Sequence, residues 1–265
     1  MNTRASDTTT QHLPRSIAVL SDQDYLDAFN DPSTIDQLED AESVVIPFSI
    51  EPEVNDERAT AARQLLKESG QLASGTLLIQ SPYDTGTYVS ASEAIETFAV
   101  AKYHHFAVVA SFLGARSLRV TDAKVERTAG DAKAAAKVGA KTVGVDAHLS
   151  ADIASDLKAQ LALETDFAGS DPDPDEALAY IREHNLLGEH SMTALVALRR
   201  GKNPVLRYQL TLDATKESQM NIDSALKVSA GLPKLVDVGG TFAASTRAVG
   251  SIKITTEITF PKPKE

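Results

Sequence analysis

The chain contains no cysteine. Disulfides, thiol nucleophiles and cysteine-held zinc are therefore excluded. No uninterrupted apolar run is long enough for a membrane-spanning helix. Met1 is followed by a polar stretch, Asn2 to Gln11, with neither an apolar core nor a small-residue cleavage site, which argues against a secretory signal. The cytosol is the simpler assignment. Positive charge is scarce in the first half: residues 1–115 hold 6 basic and 17 acidic side chains, against 20 of each sign from Arg116 onward. The net charge of −11 thus sits wholly in that half and argues against nucleic acid as the main partner, because phosphate binding needs clustered positive charge.

Catalytic motifs are also missing. No GxSxG, HExxH or paired-carboxylate pattern stands in a convincing setting. Gly139-Ala140-Lys141-Thr142 mimics the end of a phosphate-binding loop, but Ala140 intrudes between Gly and Lys, and the first Gly is absent. His104 and His105 are adjacent on a helical stretch and so face different ways, and no other ligand cluster accompanies them. The expectation is a protein that is not an enzyme and holds no cofactor or metal.

At 265 residues with 42% hydrophobic content, the chain can bury a sizeable core as one large domain. Residues 1–14 read as a flexible leader and 15–115 as an acidic mixed part. Ser21 caps a short helix over Asp24 to Phe29, and another is expected after Ser33 on Ile35 and Leu38. Val44 to Phe48 and Thr76 to Gln80 are strand-prone. Glu57 to Ser69 is helical and closed by Gly70. Ser90 to Leu113 is the most helical stretch, with a capping box from Ser90 and Glu93 and a stop at Gly114. Lys102, His104 and His105 interrupt it, and it reads as a core helix with one wet edge.

From Ser117 the character changes. Ser117 to Arg127 is strand-like, Thr128 to Ala140 is small and basic, and Val143 to Phe167 then alternates apolar and polar residues along its whole length. Period two is the mark of a strand with one apolar and one polar face. The same pattern recurs over Val236 to Phe260. Between them lie a helix on Leu178, Ile181 and Leu186, opened by the acidic turn-rich stretch Gly169 to Asp175, a second helix over about Met192 to Arg200, an alternating strand from Leu206 to Ala214, and a broken polar connection through Gly231 and Pro233. The expected fold is α+β, a twisted antiparallel sheet with two long amphipathic hairpin segments and flanking helices. Strands are usually about 5 to 6 residues, so alternation this long needs a reason. Either a large soluble sheet packs one face on helices, or the hairpins span a membrane as part of a barrel that many copies must close. Spacings such as Ile153, Leu157 and Leu161 also fit a helix, so part of the stretch can be helix in one form and strand in another.

The order of parts from Ser117 to Pro261 resembles the pore-forming domain of the gasdermin family, two long amphipathic hairpins flanking a helical connection. The closest local match runs from Met192 through Leu198-Arg199-Arg200-Gly201-Lys202 to Leu212, and Ser229-Ala230-Gly231-Leu232-Pro233 sits where that family has a Ser-Leu-Pro-Gly-like element. The resemblance covers a little over half of the chain. Without an inhibitory C-terminal domain, the chain looks most like short fungal members, regulators of cell death in heterokaryon incompatibility. That resemblance implies oligomers that bind acidic phospholipids, move from cytoplasm to plasma membrane and permeabilise it, with a variant of the same protein as trigger. The implied lipid contacts are Lys133, Lys137, Lys141, Arg199, Arg200, Lys202, Lys262 and Lys264. The inserting face comprises Val143, Val145, Leu149, Ile153, Leu157, Leu161 and Leu163 in one segment and Phe242, Ile252, Ile254 and Ile258 in the other. A soluble α+β scaffold without insertion is the alternative.

Overall fold

A computed structural model describes residues 13–32, 34, 40–51, 56–126, 155–157, 159–161, 165–201, 203–232, 246 and 251–262. The fold is α+β, built on two four-stranded sheets. The first sheet has the order β2-β1-β3-β4, from β1 (Ser16–Leu20), β2 (Ser43–Pro47), β3 (Thr76–Gln80) and β4 (Tyr88–Ser90). β1 and β2 are parallel, joined across α1 (Asp22–Asn30), and the other pairings are antiparallel. Both β1 and β2 are buried along their whole length, so alternate residues serve two cores. Ile17, Val19, Val44 and Ile46 pack on Ala59, Ala62 and Leu66 of α2 (Glu57–Glu68), while Ala18, Leu20 and Val45 join the main core.

The expectation of a leader through Pro14 is corrected at its end. Pro14 is buried and its carbonyl accepts the Tyr88 hydroxyl at 2.5 Å, which fixes the entry to β1. β1 itself was not anticipated, because a short continuous apolar run shows no alternation. The second short helix expected on Ile35 and Leu38 lies outside the described residues.

α3 (Ala94–Phe112) runs through the main core, which draws on both halves of the chain. Gly114 ends it at φ +74°, as the sequence suggests. The Ser90–Glu93 capping box does not form: Ser90 belongs to β4 and its hydroxyl pairs with that of Ser92 at 2.9 Å. The second sheet has the order β6-β5-β8-β7, from β5 (Ser117–Glu126), β6 (Thr165–Asp166), β7 (Arg207–Asp213) and β8 (Ser251–Thr259), all antiparallel. Between β6 and β7 lie α4 (Pro174–Glu183), a 3-10 turn (Leu186–Gly188) and α5 (His190–Arg200). α4 is capped by Asp173, whose carboxylate accepts the Glu176 N–H at 3.0 Å.

Two strand assignments change. Within Val143 to Phe167, Ser155–Leu157 and 159–160 are helical, Leu157 and Leu161 are buried, and among the described residues strand is confined to β6; residues 143–154, 158 and 162–164 lie outside the described set. The helical period of Leu157 and Leu161 wins because it seats both in the core. Within Val236 to Phe260, strand is described only over β8, and Thr246 is helical. The long partner of β5 is β8, with β6 touching only its first two residues. The connection through Gly231 is no loop either: α6 (Gln219–Gly231) fills most of it and packs on β1, β2 and β3.

Candidate functional site

β8 is one of the two inner strands of the second sheet, and its even-numbered residues are buried while its odd-numbered ones are half-exposed. Period two therefore holds here, and the apolar face meets protein. Ile252, Ile254 and Ile258 are wholly buried in the main core beside Leu157 and Leu161. On the other face Glu257 accepts Arg119 of β5 at 2.7 Å and Arg207 of β7 at 2.6 Å, tying three strands together. A β-bulge between Val120 and Asp122 interrupts the β5–β8 register. Val143, Val145, Leu149, Ile153, Leu163 and Phe242 lie outside the described residues.

A cluster of buried and half-buried ion pairs gathers at the end of β7. Lys102 of α3 is fully buried, and its ammonium donates to Glu217 Oε2 at 2.6 Å, to Glu189 Oε2 at 2.9 Å and to the carbonyl of Asp213. Glu189 caps α5, accepting the Ser191 hydroxyl at 2.5 Å, and its Oε2 also accepts the Asp213 N–H at 3.1 Å. The Asp213 carboxylate takes Lys253 of β8 at 2.5 Å. Lys102 thus fastens α3 to the start of α5, the end of β7 and the foot of α6. Burial pushes the Glu189 carboxyl up, but the charge of Lys102 and hydrogen bonds from Ser191 and Lys102 outweigh it and hold the group below its ordinary value. Two carboxylates share one ammonium, and Glu217 Oε1 is buried with no hydrogen-bond partner.

α6 is docked on the first sheet by polar groups. Ser224 Oγ lies 3.0 Å from both the Ser16 and the Ser43 hydroxyls, Asn221 Nδ2 donates to the Gln80 carbonyl at 2.9 Å, and Lys227 pairs with Asp40. Its apolar residues Ile222, Ala225 and Val228 join the main core. The sequence of α6 also satisfies the other period. From Leu206 the even positions read Leu, Tyr, Leu, Leu, Ala, Lys, Ser, Met, Ile, Ser, Leu, Val, Ala and Leu232, and the odd ones are polar apart from Ala225 and Gly231. Polar docking residues hid this helix from sequence reasoning, although extending the alternation beyond Ala214 would have singled the segment out. Lys102 carried a signal too, since a lone lysine on a strongly apolar helix calls for a buried carboxylate partner.

Of the basic residues expected to meet lipid, Arg199 is only 5% exposed. Its guanidinium donates to the carbonyls of Leu113 at 3.2 Å and Val205 at 3.0 Å and lies 4.1 Å from the centroid of the Phe260 ring, so it is an internal tie in this conformation. Arg200 is exposed and pairs with Asp175, and Lys262 is exposed. Lys133, Lys137, Lys141, Lys202 and Lys264 lie outside the described residues.

The two histidines of α3 part company as their spacing requires: His104 is exposed and His105 is buried at the edge of the core. The expectation that no further ligand joins the pair is corrected for His105, beside which Asp84 and His184 stand. Among the described residues no helix is long and apolar enough to cross a membrane. No protein-family model, curated protein or solved structure matches this chain.

Proposed function

We propose that this chain is a gasdermin-like pore-forming protein, which assembles in many copies on an acidic membrane leaflet and inserts two hairpins per subunit. The observation that carries this reading is the pairing of the second sheet. Its strands form two neighbour pairs along the chain, β5 with β6 and β7 with β8, each closed over a long connection, and β5 against β8 joins the pairs. The connections, residues 127–164 and 214–250, are nearly equal in length. Such a sheet holds the bases of two hairpins side by side.

The double periodicity of α6 supports the same reading. As a helix it buries Ile222, Ala225 and Val228; as a continuation of β7 it would turn Met220, Ile222, Leu226 and Val228 to one face and Gln219, Asn221, Asp223 and Lys227 to the other. A tilted spanning strand needs only about 9 to 11 residues, which 206–232 can supply. One apolar face would meet lipid and the polar face water, and closure over many subunits would satisfy the strand edges. In the folded chain the acidic first half acts as the restraint, holding α6 through Ser16, Ser43, Asp40, Gln80 and Lys102. Arg200 and Lys262 are the described candidates for anionic headgroups, each contributing on the order of 1 kcal/mol. A variant of the same protein is the proposed trigger, and permeabilisation of the plasma membrane with death of the cell the outcome.

Dye release from vesicles with and without anionic lipid, with a partner variant added, tests the proposal. Leakage that requires anionic lipid is the expected result. No leakage and no sedimentation with vesicles would overturn it, leaving the scaffold reading that the full burial of Leu157, Leu161, Ile252, Ile254 and Ile258 favours.

A further inference from the structure

Three parts of the fold converge on a cluster that the hairpins do not use. Asp84 lies in the loop between β3 and β4, His105 on α3, and His184 at the end of α4. One ligand atom from each lies within 4.8 Å of the other two. His105 Nε2 stands 3.5 Å from Asp84 Oδ2, and His184 Nδ1 stands 3.2 Å from Asp84 Oδ1. We propose that Asp84, His105 and His184 form a binding site for a divalent transition-metal ion of the zinc class.

The spacing suits that ion. Tetrahedral bonds of 2.0–2.1 Å set neighbouring ligand atoms roughly 3.3 Å apart; each histidine nitrogen stands at about that distance from one Asp84 oxygen, His105 from Oδ2 and His184 from Oδ1, and the three ligand atoms lie within 4.8 Å of one another. Two imidazoles with one carboxylate select zinc and its neighbours over magnesium or calcium, which demand oxygen. Three protein ligands leave the fourth corner to water. Asp84 is half-exposed, which gives an ion a way in, whereas the two rings are largely enclosed.

The surroundings hold the ligands in place. The remaining nitrogen of His105, Nδ1, lies 2.8 Å from the Tyr180 hydroxyl, the outer hydrogen bond that orients a metal-binding imidazole. The loop carrying Asp84 is fixed by Ser81, whose hydroxyl accepts the Asp84 N–H at 3.2 Å, and by the Thr87 N–H, which donates to the Asp84 carbonyl at 2.9 Å. Asn185, at φ 56°, donates to the Pro82 carbonyl at 3.2 Å and so seats the end of α4 on the same loop. Tyr180 packs on His184 with ring centroids 4.2 Å apart. Without an ion, His184 Nδ1 also faces the Tyr83 carbonyl at 3.3 Å. Coordination through Nδ1 places that ring's proton on Nε2. A bound ion would cross-link α3, the end of α4 and the β3–β4 loop. This proposal stands apart from the pore reading and does not depend on vesicle leakage.

Tag-free, chelator-stripped full-length chain titrated with zinc chloride by calorimetry and thermal unfolding provides the test. One ion per chain and a saturable rise in Tm are expected, with no rise in magnesium or calcium chloride. Cobalt chloride should give the intense visible absorption of a tetrahedral site. Asp84→Asn and His184→Gln each should weaken zinc at least tenfold and abolish the cobalt band, and Tyr180→Phe should weaken it about tenfold while leaving the band. Circular dichroism of the stripped variants checks that they fold; if they do not, the cobalt band of the unsubstituted chain decides. No saturable binding, no tetrahedral band, or affinity unchanged in both ligand variants overturns the proposal.

Discussion

Lys102 Nζ and Glu217 Oε2 lie 2.6 Å apart, with the lysine entirely out of water and the glutamate at the foot of α6. This pair spans the divide between the acidic first half and the segment that joins β7 to α6. Breaking a buried pair by deleting one partner strands the other charge, which costs about 3–5 kcal/mol. Lys102→Met is therefore expected to lower the unfolding free energy read from urea titration by that much, and adding Glu189→Gln and Glu217→Gln to recover most of it. If the single variant lost under 1 kcal/mol, the lysine would be no more than a surface-grade contact. In the pore reading the single variant also leaks vesicles at lower protein concentration.

Acid should loosen the same region. Glu189 is held below its ordinary value of 4.5 as described above. Asp213, also desolvated, is held below its ordinary 3.8 by hydrogen bonding and charge from Lys253. The folded state thus binds these protons less readily than the unfolded chain. Their contribution is complete above the ordinary carboxylate values and is lost as pH falls through the lower folded ones. Unfolding midpoints measured in steps downward from 4.5 should fall more steeply for the unsubstituted chain than for Glu189→Gln.

The two periods of α6 can be separated by substitution. Met220 is 62% exposed on the helix, and Ala230 is exposed as well, yet both sit on the even face of the alternation. Met220→Asp and Ala230→Asp are expected to leave Tm nearly unchanged and to abolish dye release. Gln219→Glu, exposed on the helix and on the odd face, should leave release intact. Equal effects from both sets would show that 219–231 never becomes strand.

Gly114 and Gly70 look alike in sequence, each closing a helix, with φ of +74° and +71°. A Cβ on Gly114 would lie 2.2 Å from the Ser170 carbonyl oxygen, whereas one on Gly70 meets nothing within 4 Å. Gly70→Ala should cost roughly 1–2 kcal/mol for the left-handed backbone. Gly114→Ala should cost about 1–3 kcal/mol more for the overlap. Chemical unfolding of both variants checks the order.

Elements with a clean period, a β-prone run or a terminal signal were legible: β5 and β7 alternate, β2 and β3 are short runs of β-branched and apolar residues, and α1 to α5 fall near where Ser21, the acidic stretch before Leu178, helical spacing or a closing glycine puts them. The failures share a physical cause. β1, like β2, is buried on both faces and so shows no alternation, but Ala18 breaks its run of β-branched residues where β2 keeps Val44, Val45 and Ile46 together; α6 buries Asn221, Ser224 and Ser229, so its docking face reads as polar. Leu157 and Leu161 obey both periods, and only their neighbours in the core decide between them. The Lys102 cluster and the group around His105 join residues remote in sequence, and pairing of that kind leaves no local pattern.

The β5–β8 pairing also bears on how the chain is made. The hydroxyls of Ser117 and Thr259 meet at 2.7 Å, yet 142 positions separate them. At a synthesis rate of about 5–20 residues per second, the ribosome adds the second strand roughly 7–28 s after the first. Throughout that interval β5 is a nascent strand with no long partner, open to pairing with neighbouring chains. A growing chain that has not reached β8 lacks the strand that joins β5 to β7, so assembly of the second sheet is delayed until late in translation.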